Sequence, residues 1–251
     1  IVEREEAGTP AIIGAIRAGL VFQLKDAVGV EEIQRREHDF IRRAIDTWNA
    51  HPNIRILGDH DRWRLSIVSF MIRFDEQRYL HHHFVVALLN DLFGIQARGG
   101  WQCAGPYGHR LLDIDLTRSE AFQREVVRGC RGIKPGWTRM NFNYFISETV
   151  FDFILKAVDF VAHEGWKLLP HYKFEPNTGQ WRHRMGRPDP VMRLTQLTYQ
   201  SGQLEYRSRS ATEPVWVLET YLEEAKRVVA AAEENLAGTS LTDPPLDAGF
   251  E

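Results

Sequence analysis

Three short segments of the 251-residue sequence combine residue types that can do chemistry. The first segment, residues 4–10, carries Gly8 and Thr9 just before an apolar helical pattern. Glycine lets the backbone approach a ligand closely, and a threonine hydroxyl beside free amides at a helix N-terminus suits a phosphate group. The same residues also suit a plain helix cap, so a structural role remains an alternative for this segment.

The second segment, residues 98–108, is a glycine-rich loop that carries a guanidinium at Arg98 and a thiol at Cys103. Such a loop can present a reactive cysteine to a pocket, because accessible thiols that ionise readily are the nucleophilic ones. A free cysteine is also a common inert core residue. Cys103 is therefore a candidate nucleophile with a structural alternative.

The third segment, residues 135–142, places Arg139 inside a run that reads as a strand. An arginine on a strand must find an anion or water, and its planar fork matches a carboxylate. A surface position on a half-exposed strand is the alternative. Three consecutive histidines, His81 to His83, fall in an apolar helical pattern, where consecutive side chains point in different directions. We therefore expect no metal site there.

The composition excludes several classes of function. Acidic and basic residues are interleaved and the formal net charge is −3, so no basic surface for nucleic acid or an anionic membrane is predicted. No apolar run has the length of a spanning helix, and no signal peptide is evident. The two cysteines, Cys103 and Cys130, have no metal-like spacing and fit a reducing compartment, so we expect a cytoplasmic protein.

The hydrophobic patterns predict the elements that must position these segments. A first helix should open at Thr9 and Pro10, with the hydroxyl as its cap, and a second should run from residue 31 to His51. A small α+β unit should follow. Its strands are predicted at 54–57, 65–72, 95–98 and 137–142, and its helices at 79–93, 119–130 and 147–164. Beyond residue 170 we expect hairpins at 172–183 and 191–206 and a final helix at 214–235.

Taken together, the three segments resemble the second half of the class V aminotransferase and cysteine desulfurase group of pyridoxal-phosphate enzymes, over roughly residues 1 to 170. The residues Glu6-Ala7-Gly8-Thr9-Pro10 are similar to the segment that opens a helix near the cofactor phosphate in that family. The loop from Arg98 to Ala104 is similar to the cysteine-bearing loop of desulfurases, and the surroundings of Arg139 resemble those of the arginine that binds the substrate carboxylate.

The resemblance implies an α/β protein of the fold-type I class. It would comprise the end of a large cofactor domain (1–30), an interdomain helix (31–52), a small α+β C-terminal domain (53–170), an α/β extension (171–237) and a tail (238–251). It also implies pyridoxal 5'-phosphate as cofactor, an amino acid as substrate and a homodimer. Gly8 and Thr9 would contact the phosphate, and Arg139 and Arg98 would bind the substrate.

The reaction is left open between three alternatives. An aminotransferase-like reaction is the first, a cysteine desulfurase or selenocysteine lyase using Cys103 is the second, and a scaffold or dimerisation module without catalysis is the third. Two observations weigh against sulfur transfer, because Trp101 and Gln102 replace histidines that are common in the desulfurase loop, and residues beyond 170 match no desulfurase pattern. The lysine that holds the cofactor in this family is not recognisable here, so we expect a C-terminal portion of a longer enzyme that is inactive by itself.

Overall fold

The computed structural model describes residues 8–103, 105–186, 193–206 and 213–237. The helices are α1 Ile12–Val28, α2 Val30–Asn49, α3 His82–Phe93, α4 Gly105–Leu111, α5 Leu116–Val127, α6 Glu148–Glu164 and α7 Val217–Ala237. The strands are β1 Ile54–Ile56, β2 Ile67–Ile72, β3 Arg98–Gly100, β4 Trp137–Asn141, β5 Tyr172–Glu175 and β6 Gln180–His183. Short 3-10 turns cover Arg131–Ile133, Gly165–His171 and Leu194–Gln196. The helix and strand predictions between residues 31 and 183 are confirmed with ends shifted by a few residues, and α4 was not predicted.

Four strands form an antiparallel sheet in the order β1-β2-β4-β3. Side chains alternate between the two faces of a strand, and Val68, Phe70 and Ile72 of β2 turn towards the helices and are buried. Ser69 and Met71 lie on the opposite face and are only half-buried. The sheet therefore has one face packed on helices and one that is partly open.

The core lies between this sheet and helices α2, α3 and α6, and it is rich in aromatic rings. Phe40 of α2 stacks on Phe151 of α6 with ring centroids 4.6 Å apart. Trp48 lies against Phe70 of the sheet and Phe142 beyond β4, at 5.3 Å and 6.0 Å. All five side chains are at most 1% exposed, so α2 is fixed to the sheet along its C-terminal half.

Residues beyond 170 extend the same core. Tyr172 of β5, with Ala225 and Val229 of α7, belongs to the buried cluster that contains the sheet and α3. The Tyr172 hydroxyl donates a 2.9 Å hydrogen bond to Asp91 Oδ2 on α3. The boundary at residue 170 remains a prediction, and the segments on its two sides share one hydrophobic core.

The predicted hairpin at 172–183 is confirmed, whereas the one at 191–206 is much shorter than predicted in its described part. Val191 and Met192 lie outside the described residues. In 193–206 the only pairing is a single antiparallel bridge between Thr198 and Glu205. Leu194 and Tyr199 are 84% and 68% exposed, so this segment has no apolar face to bury against a neighbour and forms no ladder.

Helix α1 begins later than predicted and is almost entirely exposed. Its N-cap is Ala11, and no side chain caps it, so Thr9 and Pro10 do not open the helix. The reason is local: the Ile12 amide donates to the Pro10 carbonyl at 2.8 Å in a tight turn, and the first α-helical bond joins Ala15 to Ala11. Seven apolar side chains along α1 are more than half exposed: Ile12, Ile13, Ile16, Leu20, Val21, Phe22 and Leu24. In the described parts of the chain, no helix has the length and apolar character needed to cross a membrane.

Candidate functional site

Arg98 and Arg139 are direct neighbours on the partly open face of the sheet. They are opposite partners in the β3–β4 ladder, and opposite residues in an antiparallel pair project from the same face. Arg139 also lies opposite Ser69 of β2. Arg139 is half-buried and Arg98 is exposed. No carboxylate within the described ranges forms an ion pair with either guanidinium, which leaves both forks able to bind an anion.

The loop after β3 holds two residues in the left-handed backbone region. Gln102 has φ 58° and Cys103 has φ 57°, a conformation that is costly for residues other than glycine. Such strain persists only where the surroundings impose it, and it concentrates at functional sites. Cys103 is exposed, so the alternative that it is a buried core residue is wrong.

Trp101 anchors this loop from the side of α4. A Cβ placed on Gly108 of α4 would lie 2.9 Å from the Trp101 ring, so only glycine allows this close approach. The ring also contacts His109 and Trp137, with centroids 5.0 Å and 6.0 Å away. Helix α4, which sequence reasoning missed, therefore fixes the start of the cysteine loop against β4.

Gly8 and Thr9 are exposed residues in front of α1. Gly8 has φ +81°, and a Cβ added there would meet no atom within 4 Å. In the described structure no hydrogen bond or ion pair links these two residues to Arg98, Cys103 or Arg139. The structure thus brings the two arginines together and leaves Gly8 and Thr9 outside that group, and their phosphate role remains a prediction.

The three histidines do not lie on successive positions of one helix. His81 precedes α3 as its N-cap, and its ring accepts a hydrogen bond from the His83 amide at 3.2 Å. As a result, one ring nitrogen of each histidine lies within 4.8 Å of the others, and the expectation that they cannot converge is wrong.

Hydrogen bonds already occupy much of this histidine cluster. The second ring nitrogen of His81 contacts the Gly132 carbonyl at 2.9 Å, and His83 Nδ1 contacts the Gly179 carbonyl at 2.8 Å. Both must therefore carry protons, since carbonyl oxygens only accept. Burial lowers the pKa of His81, and burial with the neighbouring rings lowers the pKa of His82 to about 2. His81 and His82 are thus neutral near neutral pH.

A second group, His51, Asp159 and His163, was missed by the sequence reasoning. His51 Nε2 lies 2.8 Å from His163 Nδ1, and each of these nitrogens lies 3.6 Å from an oxygen of Asp159. The spacing of Asp159 and His163 by one helical turn was the available signal. However, His51 Nδ1 accepts the Asn53 amide at 3.0 Å, so the proton of the neutral ring lies on Nε2, the atom that a metal would need. Burial, followed by His163, lowers the pKa of His51.

Comparison with known proteins finds a match between the first half of the chain and one protein family. Residues 2–124 match the sequence model of the family described as aminotransferase class-V. The match confirms the resemblance and, with it, the fold-type I α/β class. Gly8, Thr9, Arg98 and Cys103 lie inside the matched residues, whereas Arg139 lies beyond them.

Individual relatives are cysteine desulfurases. A probable cysteine desulfurase of Halalkalibacterium halodurans is 32% identical over 117 residues, covering 47% of this chain and 27% of that protein. The cysteine desulfurase of Dickeya dadantii is 34% identical over 134 residues, covering 52% of this chain and 31% of that protein. An apo cysteine desulfurase structure from Thermococcus onnurineus NA1 aligns with a TM-score of 0.49 and 25% identity, over 64% of this chain and 34% of the other. The chain therefore spans less than a third of the length of these two curated relatives.

Proposed function

We propose that the chain forms the substrate-binding part of a pyridoxal-phosphate enzyme that acts on an amino acid, with removal of sulfur from cysteine as the first candidate reaction. The observation that carries this proposal is the exposed thiol of Cys103, held in a strained loop that continues directly from Arg98. The family match and the names of the relatives support the same reaction class.

The residues in front of α1 fit a phosphate-bearing cofactor. Gly8 has an open surface and a backbone conformation that favours glycine, and the Thr9 hydroxyl is exposed beside it. These groups, together with amides at the start of α1, would hold a phosphate. When bound, pyridoxal phosphate supplies an electron sink for the carbon skeleton of the substrate.

Arg139 would bind the substrate carboxylate through its planar fork. Arg98, opposite it in the ladder, would add positive charge and fix the start of the cysteine loop. In the desulfurase reaction the Cys103 thiolate attacks the substrate sulfur. A sulfur–sulfur bond then forms as the carbon–sulfur bond breaks, and the bonding electron pair stays on the carbon. Cys103 would leave this step carrying the transferred sulfur as a persulfide.

An aminotransferase-like reaction is the second candidate, because Trp101 and Gln102 replace the histidines of the desulfurase loop. Trp101 packs against α4, so this loop is held by an aromatic contact. In such an enzyme Cys103 would line the pocket without reacting. The two candidates therefore differ in whether the thiol is essential.

Replacement of Cys103 by alanine tests this difference in the protein that carries the cofactor lysine. If the enzyme is a desulfurase, Cys103→Ala should lower sulfide production by several orders of magnitude. If it is an aminotransferase, the variant should keep most of its transamination rate. Cys130→Ala is the matched control, since Cys130 is the other free thiol and lies beyond α5. Full sulfide production in Cys103→Ala would eliminate the sulfur-transfer role.

Cofactor binding needs its own measurement. The purified chain is mixed with pyridoxal phosphate, and its absorbance is followed before and after borohydride reduction with mass mapping of labelled lysines. We expect no specific lysine adduct on this chain, because Lys25 and Lys134 lack the family surroundings. A single lysine labelled in high yield would contradict this expectation and assign a catalytic lysine to the present sequence.

We also propose that residues 1–30 belong to the cofactor domain and that the enzyme is a homodimer in a reducing compartment such as the cytoplasm. The exposed apolar face of α1 supports the first part, because a face of this size is normally covered by other protein. The reactive thiol supports the reducing compartment, since a nucleophilic cysteine must stay reduced. Residues 31–52, 53–170 and 171–237 would then be the interdomain helix, the small domain and its extension.

A further inference from the structure

The segment His81–His83 contacts both strands that carry the two arginines, β3 and β4. On the helix-covered side of the sheet, a Cβ at Gly99 of β3 would lie 2.6 Å from His83 Cδ2 and 3.2 Å from His82 Cδ2. The Thr138 hydroxyl of β4 donates to the His82 carbonyl at 3.4 Å. Gly99 and Thr138 are the ladder pair next to Arg98 and Arg139. The histidines therefore support, from behind, the strand residues adjacent to both arginines.

The same segment is bound to the tip of the β5–β6 hairpin. His83 Nδ1 donates to the Gly179 carbonyl at 2.8 Å. His81 Nε2 donates to the Gly132 carbonyl at 2.9 Å, and the Gly132 amide donates to the Pro176 carbonyl at 2.7 Å. The hairpin tip, the turn before β4 and the histidines thus form one hydrogen-bonded unit.

The hairpin is closely seated on this unit. A Cβ at Gly132 would lie 2.4 Å from Phe174 Cζ and 2.8 Å from the Pro176 carbonyl oxygen. Phe174 also packs on His81 and Trp181, with ring centroids 5.3 Å and 5.0 Å away. Little movement of the hairpin is therefore possible without displacing the histidines or the Gly132 turn.

We propose that the β5–β6 hairpin of the extension holds β3 and β4 in register behind the substrate site through His81–His83, and that His83 is a positioning residue for Arg98 and Arg139. The proposal rests on the proposed function only in naming those arginines as substrate ligands. It assigns a role to residues 172–183, for which the class V resemblance gave none. A metal role for the same histidines is less favourable, because both ring nitrogens of His81 already form hydrogen bonds, Nε2 to the Gly132 carbonyl and Nδ1 from the His83 amide.

Hydrogen exchange in the full chain tests the positioning role without any activity assay. His83→Ala removes both the ring contact with Gly99 and the bond to Gly179. We expect amide exchange in β3 to accelerate about tenfold, as the loss of a part-buried hydrogen bond implies. Exchange in β2, which the histidines do not bond, should stay unchanged. His83→Asn, which keeps a side-chain N–H for the Gly179 carbonyl, should restore at least part of the protection.

Two further variants keep the test decisive if His83→Ala does not fold. Gly132→Ala leaves the histidines intact but displaces Phe174 and Pro176, so it should accelerate exchange in β3 as well. Arg182→Ala is the control on the same hairpin, because its exposed side chain bonds, among the described residues, only to Gln180. Unchanged β3 exchange in His83→Ala or Gly132→Ala, or equal acceleration in Arg182→Ala, would overturn the proposal.

Steady-state kinetics of the cofactor-loaded enzyme then test whether the positioning affects substrate binding. His83→Ala should raise KM for the amino acid several-fold and change kcat less, because it loosens the carboxylate ligands and leaves the thiol in place. If the unmodified enzyme turns over no amino acid, the proposed function fails, and the exchange result stands independently. If exchange responds and KM does not, His83 supports the sheet without positioning the arginines, and the proposal is refuted.

Discussion

Replacing His82 with glutamine should remove a steep acid dependence from the stability of the fold. His82 is 8% exposed and lies between His81 and His83. Burial, followed by its two histidine neighbours, lowers its pKa from 6.5 to about 2 in the folded chain. The unfolded chain therefore takes up a proton at this residue below pH 6.5, whereas the folded chain does not.

The sign and size of the effect follow from this difference. Above pH 6.5 both states are neutral at His82, and the residue contributes no pH dependence. Each unit below pH 6.5 favours the unfolded chain by about 1.4 kcal/mol, until the folded ring itself is protonated near its lowered pKa. At pH 5 the wild type should have lost about 2 kcal/mol through His82 alone. Glutamine does not titrate, so the variant should lack this loss.

Urea unfolding followed by tryptophan fluorescence at several values between pH 7.5 and 5 measures the free energy of unfolding for both proteins. A constant offset between them reports the changed packing and is not part of the test. The quantity of interest is the difference in slope with pH, to which the other carboxyl and imidazole groups contribute almost equally in both chains. Parallel pH profiles would show that His82 titrates normally in the folded state and refute the reasoning.

Three further substitutions have definite expected outcomes. Arg139→Lys in the cofactor-loaded enzyme should lower kcat/KM for the amino acid by about a hundredfold, since a carboxylate loses its bidentate partner, and an unchanged value would remove Arg139 from the site. Phe151→Ala should lower the free energy of unfolding by about 3–5 kcal/mol, because the ring is 0% exposed, whereas Phe145→Ala, at 69% exposure, should cost little. Tyr172→Phe removes the bond to Asp91 and should cost about 1 kcal/mol in urea unfolding, against no loss for a Tyr107→Phe control whose side chain is exposed.

The sequence predicted those elements whose signals are local. The turn at 177–179 predicted the β5–β6 hairpin, and Ser147 marked the start of α6, where its side chain accepts the Val150 amide at 3.3 Å. The pairing of Arg98 with Arg139 was out of reach, because strand order depends on contacts between distant segments. For the same reason His51 and His163, which meet at 2.8 Å, were not connected.

Errors arose where two local signals competed. Tyr79 and Leu80 fit the helical period before α3. However, the Leu80 amide donates to the Ile72 carbonyl at 2.8 Å, and Tyr79 forms an antiparallel bridge with Arg73 just after β2. The chain then turns at His81, which caps the helix, and this turn lets the three histidine rings converge. The expectation that the three rings cannot converge was wrong because it assumed that the helix had already begun at His81. The absence of a metal site there stays a prediction.

The shared core of the small domain and the extension has a consequence for how the chain folds. Tyr172, Ala225 and Val229 belong to a hydrophobic cluster that also contains residues as early in the chain as Phe40. A chain shortened at residue 170 would expose the surface of α3 that these side chains cover. We expect the two segments to melt in one transition, and a ribosome would have to release residues 213–234 before the domain could close its core.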